Sequence, residues 1–333
     1  MLAAIFAIAG ERLNSEERAF FGDADPAGYI LFKRNCATKD QLRALTDDLR
    51  ALSGRDDVPI LIDQEGGRVA RLQPPVWPEF PSGERFDRLY RTAPISAIEA
   101  ARLNAEAIAC LLRESGLNTN CLPLLDLRHE GGHEIVGDRA LGSDPMQVAA
   151  LGRAIIDGMA AAGVAAVVKH IPGHGRAATD SHQALPVVEA GEEELARDLV
   201  PFQSLRGAAM AMTAHILYTA WDADRCASLS PVVIGDIIRG RIGFDGLLMS
   251  DDLAMDALSG GYEARARGVI DAGCDIALHC SGKLEEMVAV AAGVGALGSE
   301  GQARLGRARI VGADPAHSYQ DLADRRDALL SYV

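Results

Sequence analysis

One short stretch gathers a lysine, three histidines and an aspartate: Lys169-His170-Ile171-Pro172-Gly173-His174-Gly175, followed by Thr179-Asp180-Ser181-His182. Pro172, Gly173 and Gly175 rule out a regular helix, so the stretch is a shaped loop after a strand. Asp180 and His182 stand two apart and can meet in a turn. A carboxylate on an imidazole fixes its tautomer and raises its basicity, as proton-transfer catalysis requires. The plainer alternative is a turn-capping aspartate beside a surface histidine.

A second segment, Gly243-Phe244-Asp245-Gly246-Leu247-Leu248-Met249-Ser250-Asp251-Asp252-Leu253, ends an apolar run in adjacent carboxylates. A carboxylate placed there can attack a sugar's anomeric carbon and form a covalent ester. Asp251 and Asp252 should point to different sides of a strand. Only one can be the nucleophile, the pattern does not say which, and the other is free to cap the next helix. A third segment, Asp63-Gln64-Glu65-Gly66-Gly67-Arg68-Val69-Ala70-Arg71, lacks GxGxxG, which argues against a dinucleotide site. Asp63 and Arg71 form either a polar clamp for hydroxyl groups or a surface ion pair beside a glycine turn. His129-Glu130-Gly131-Gly132-His133 matches HExxH, but zinc chemistry needs both histidines on one helix face. Two internal glycines argue against that helix, and Pro172 does the same for His170 and His174.

Positioning these groups falls to eight short apolar runs: Ala3–Ile8, Tyr29–Phe32, Ile60–Asp63, Asn120–Leu125, Ala165–His170, Ala209–His215, Leu247–Asp251 and Asp275–His279. Near-continuous apolar runs mark strands covered on both faces. Helices fit between them: from a Thr38 or Asp40 cap to Leu52, Pro94–Ser115, from Asp144-Pro145 onward, Glu192–Leu205, Pro231–Arg241 capped by Ser230, Gly261–Ala272 and Leu284–Val294. Alternation of this kind implies a parallel sheet. Eight repeats predict the α/β class and a single (β/α)8 TIM-type barrel. The whole of 1–333 is expected to be one catalytic domain, with 303–333 a helical tail packed on it. Asp63, Asp126, Lys169-His170, His215 and Asp251-Asp252 all fall at the C-terminal ends of runs, the face that carries catalysis in such barrels.

Composition narrows the function. The formal net charge is -14, which repels phosphate backbones and argues against a nucleic-acid partner. Six cysteines, Cys36, Cys110, Cys121, Cys226, Cys274 and Cys280, show no CxxC spacing and sit mostly in apolar runs. A reducing, cytoplasmic setting fits them better than a disulfide framework. The apolar start, MLAAIFAIAG, lacks a basic leader and is read as the first strand rather than a signal peptide. No later stretch approaches the roughly 20 apolar residues of a membrane span.

Together these segments resemble family 3 glycoside hydrolases, in particular the one-domain bacterial β-N-acetylglucosaminidases of peptidoglycan recycling. The resemblance rests on Ile62–Val69, Lys169–Gly175, Asp180-Ser181-His182 and Ser250-Asp251-Asp252-Leu253, with shorter echoes at Leu122–Asp126, Gly137-Asp138-Arg139 and Ala214-His215. It spans almost the whole chain in the expected order. It implies Asp251 as nucleophile and His182 as acid/base paired with Asp180, on a mobile loop. It also implies that Asp63, Arg71, Arg139, Lys169 and His170 bind the terminal N-acetylglucosamine. The implied substrate is a muropeptide, N-acetylglucosamine β-linked to 1,6-anhydro-N-acetylmuramic acid. No metal or organic cofactor is implied, and the enzyme is expected to act as a monomer on a small saccharide. The loop Arg128–Glu134 departs from the Asn/Pro-rich version of many members. Alternative readings are a phosphorylase, with phosphate replacing water, a non-catalytic sugar-binding barrel, and more remotely a zinc peptidase.

Overall fold

A computed structural model of the chain describes residues 1–308 and 317–332. Residues 309–316 and 333 of the expected tail lie outside the described residues.

The eight apolar runs are the eight strands of a closed parallel barrel: β1 (Leu2–Ala7), β2 (Pro26–Leu31), β3 (Ile60–Ile62), β4 (Thr119–Asn120), β5 (Ala165–Ile171), β6 (Met210–Thr213), β7 (Leu247–Asp252) and β8 (Ile276–His279). Each pairs with its neighbours in sequence, and β1 closes on β8 with Phe6 opposite His279. The ladder at β4 is shorter than the apolar run Asn120–Leu125, because Pro123 has no N–H to donate. Contact resumes only as a bridge from Leu124 to Lys169.

Strand parity divides the core. Ile5, Leu61, Val167, Met210, Met249 and Ile276 belong to the cluster inside the barrel. Phe6, Ile60, Val168, Ala211, Leu248 and Ala277 belong to the cluster under the helices. Because side chains alternate with period two, one step beyond Leu61, Val167 and Met249 comes Asp63, Lys169 and Asp251. All three line the cavity at the C-terminal mouth. An apolar filling below thus aims polar groups upward above it.

The helices begin where capping chemistry places them. Thr38 accepts the Gln41 N–H ahead of α2 (Lys39–Ser53), and Asp144 accepts those of Met146 and Gln147 ahead of α5 (Pro145–Ala161). Ser230 Oγ accepts the Val233 N–H at 3.1 Å, and the helix after it, Val233–Ile242, is a π-helix. Helices α4 (Pro94–Glu114), α6 (Glu192–Ser204), α7 (Tyr262–Ala272) and α8 (Leu284–Gly293) fall within a residue or so of expectation.

Two helices, α1 (Ser15–Ala24) and α3 (Gly83–Thr92), are additions to the sequence reading. The tail holds α9 (Ser299–Ala308) and α10 (Tyr319–Leu330). The second lies on α4, where Arg326 reaches Asn104 at 3.0 Å. Among the described residues, no helix is long and apolar enough to cross a membrane.

Candidate active site

The mouth of the barrel holds a cavity of about 270 Å³. Of the residues given a catalytic or sugar-binding role, all but Asp180 line it: Asp63, Arg71, Arg139, Lys169, His170, His182 and Asp251. Asp180 is joined to the cavity through His182.

One wall is a chain of alternating charges. Arg71 meets Asp63 at 3.0 Å, Asp63 meets Lys169 Nζ at 2.8 Å, and Lys169 meets Glu65 at 2.6 Å. Arg139 then holds both oxygens of Glu65, at 2.8 and 2.9 Å. The bidentate fork adds geometry as well as energy. Burial raises the Asp63 carboxyl, but the charges of Lys169 and Arg71 outweigh it and hold it well below the usual range. Glu65 behaves alike: burial opposes ionisation, Arg139 and Lys169 win, and its pKa falls to about 2. Glu65 was not singled out by the sequence. Its signal was parity, since it stands two beyond Asp63 on the same face.

Beside this wall Asp126 organises two histidines. Its Oδ2 accepts from His170 Nδ1 at 2.7 Å, and its Oδ1 accepts the backbone N–H of His174 at 2.6 Å. An ionised carboxylate only accepts, so His170 carries its proton on Nδ1 and offers Nε2 to the cavity. Burial raises the Asp126 carboxyl, but His170 and His174 pull it down to about 2.

These depressed carboxylates predict an acid limit. Their folded pKa values lie below the unfolded ones, so their stabilisation is present above about pH 4 and is lost as pH falls toward 2. Thermal melting should therefore be flat down to about pH 5 and fall steeply below pH 4. Glu65→Gln should be less stable at neutral pH but less sensitive to acid. Parallel acid losses in the two proteins would remove Glu65 from the cause.

The adjacent carboxylates at the end of β7 separate cleanly. Asp252 Oδ1 accepts the N–H groups of Ala254 and Cys280, both at 2.9 Å. It caps the following turn and ties β7 to β8. Asp251 Oδ1 accepts only the Asp252 N–H, at 2.8 Å. Its other oxygen accepts no hydrogen bond among the described residues. Burial raises the Asp251 carboxyl, but the neighbouring His170 and His215 rings and the Asp252 N–H outweigh it, so the group is held ionised. Asp252 shifts the opposite way, raised chiefly by burial.

His215 stands behind this strand rather than in the cavity. Its Nε2 donates to the Asp252 carbonyl at 3.0 Å, so its Nδ1 accepts from Ser228 Oγ at 2.6 Å.

Over the rim stands the Asp180–His182 pair. Asp180 Oδ1 accepts the His182 backbone N–H at 2.9 Å and meets His182 Nδ1 at 2.8 Å. Burial raises the Asp180 carboxyl, but these two bonds outweigh it and leave it lowered. The His182 side chain is 59% exposed, leaving Nε2 free. Ser181 between them is buried, with its carbonyl accepting the Ala257 N–H at 3.2 Å. The HExxH look-alike is a turn whose histidines face different partners: His129 meets Asp198, while His133 Nδ1 accepts the Ile135 N–H.

A carboxylate held ionised at the cavity floor, a histidine–aspartate pair on its rim and a cationic, hydrogen-bonding wall suit displacement at a sugar carbon. Comparison with known proteins points the same way. Residues 2–309 match the glycosyl hydrolase family 3 N-terminal domain. A β-hexosaminidase of Aromatoleum aromaticum is 39% identical over 279 residues, covering 82% of this chain and 78% of that one. A β-hexosaminidase of Stenotrophomonas maltophilia is 39% identical, covering 84% of each. In structure, NagZ from Neisseria gonorrhoeae in complex with N-trifluoroacetyl-D-glucosamine superposes with a TM-score of 0.88 at 29% identity, covering 99% of this chain and 97% of that one. The chain belongs to glycosyl hydrolase family 3 and is a glycoside hydrolase.

Proposed function

We propose that the enzyme is a retaining exo-β-N-acetylglucosaminidase working through a glycosyl-aspartate on Asp251. The observation that carries this reading is the Asp251 carboxylate: ionised, at the cavity floor, with one oxygen uncommitted. Beyond it, the 2-acetamido sugar is supported by the β-hexosaminidases among its relatives.

In the first step His182 protonates the leaving oxygen while Asp251 attacks the anomeric carbon through an oxocarbenium-like transition state. In the second, His182 takes a proton from water, which displaces Asp251 and returns the sugar with retained configuration. Asp180 orients the imidazole and stabilises its charged form. Asp63, Arg71, Arg139, Lys169 and His170 grip the terminal sugar, each already held by a neighbour. A histidine suits the acid/base role because a carboxylic acid must have its pKa raised by burial or like charge to hold a proton near neutrality, whereas an imidazole needs no such shift.

For the physiological substrate we propose a muropeptide bearing N-acetylglucosamine on 1,6-anhydro-N-acetylmuramic acid. The order of motifs, similar to that of one-domain peptidoglycan-recycling enzymes, supports it. The cytoplasm is the proposed location, supported by six unpaired cysteines, five of them buried.

The test is hydrolysis of 4-nitrophenyl β-N-acetylglucosaminide beside the β-glucoside, with and without phosphate. A pocket that hydrogen-bonds a substituent rejects its absence by up to about 10⁴-fold, because buried partners are left unpaired. The glucoside should be far the poorer substrate, and phosphate should not change the product. Comparable efficiency on both sugars would sink the specificity, and a sugar phosphate product would make the enzyme a phosphorylase.

A further inference from the structure

His182 is the most exposed of the proposed catalytic groups, so its placement depends on how its loop is seated. The seat is the segment after β4. Asp198, a buried residue of α6, accepts Arg176 Nε at 2.5 Å from one side and meets His129 Nε2 at 2.8 Å from the other. Arg176 belongs to the loop that leads to Asp180–His182; His129 belongs to the facing segment. The two run flush. The His133 N–H donates to the Ala177 carbonyl at 2.8 Å. A Cβ on Gly132 would lie 2.4 Å from the Gly175 carbonyl oxygen, a backbone atom that cannot swing aside.

We infer that Asp198, bridging His129 and Arg176 over the close contact at Gly132, is a positioning residue that sets where the Asp180–His182 pair stands above the sugar. The two ends of the HExxH look-alike thereby gain a role: His129 by its imidazole, His133 by its backbone. The inference rests on the proposed acid/base role of His182. It adds that proton delivery is governed by residues that touch neither substrate nor the dyad.

The experiment measures glycosylation by Asp198→Asn, His129→Ala and Gly132→Ala, each alone and combined with His182→Ala. A β-linked N-acetylglucosamine disaccharide and an activated nitrophenyl glycoside serve as substrates. Misplacement by about 1 Å costs on the order of 10²-fold. The single variants should lose roughly 10- to 100-fold on the disaccharide and little in the nitrophenolate burst. In the His182→Ala background they should lose nothing more. His129→Ala truncates a partly exposed ring and keeps the test alive should Asp198→Asn fail to fold. Equal losses on both substrates, or undiminished losses without His182, would overturn the positioning role, as would silence of all three variants. If His182→Ala itself showed no dependence on the leaving group, the acid/base reading would fail and take the inference with it.

Discussion

Asp251→Asn should leave a folded protein with almost no turnover. The amide keeps the carboxylate's size, and its oxygen can still accept the Asp252 N–H that Asp251 Oδ1 accepts at 2.8 Å. It loses the electron pair that must attack carbon. Removing one member of a covalent hydrolase's catalytic triad costs about 10⁴–10⁶-fold in kcat, and a loss in that range is expected here. Asp252→Asn is the sharp control. The neighbouring carboxylate spends its Oδ1 on two backbone N–H groups, contacts an amide oxygen can also make. That variant should lose mainly stability. A fluorinated N-acetylglucosaminyl donor should trap its ester on Asp251, located by peptide mass mapping. A label on Asp252, or robust turnover by Asp251→Asn, would overturn the assignment.

His182→Ala should cost in proportion to the leaving group's need for a proton. A sugar alkoxide leaves poorly, so the natural disaccharide should lose the full worth of general acid catalysis, about 10²–10⁴-fold. Nitrophenolate leaves unaided, and its burst should survive much better. The following steady state should still be slow, since the same imidazole activates water in the second step. Asp180→Asn should show both effects more weakly, because the partner of His182 Nδ1 at 2.8 Å loses its charge but keeps an oxygen. Bursts and steady-state rates on a series of aryl leaving groups separate the steps. Equal slowing for good and poor leaving groups would move attention to His174. That ring also lines the cavity, and burial lowers its pKa to about 4.

The barrel was legible because a strand buried on both faces cannot alternate, and eight such runs have few other readings. Less legible was α1, whose segment is polar and holds Gly22. Its signal was local: Asn14 with Glu17 three residues on makes a capping box, with Glu17 also accepting the Ala9 N–H. The choice between Asp251 and Asp252 was open by pattern, and motif likeness favoured Asp251. What distinguishes the two carboxylates physically is the backbone N–H groups of Ala254 and Cys280, which no residue type announces. Asp126 stood out as a strand end without a task. Its task depends on a histidine 44 positions later, a pairing only the closed barrel creates. Conversely, the look-alike HExxH shows that spacing without helix geometry says nothing about metal.

The charged wall from Arg71 to Arg139 and the loop bearing His182 share β5 and the segment after β4, but different side chains fasten them. The first is braced by ion pairs among its own members, Asp63, Glu65, Lys169, Arg71 and Arg139; the second rises over the rim from a clasp on α6. On the proposed roles, grip on the sugar and delivery of the proton thus depend on different side chains. Substitutions in the clasp can retune which leaving groups are accepted while the terminal sugar is still recognised. Lineages of such enzymes would then diverge in aglycone preference first, with the preference for the sugar itself the slowest trait to drift.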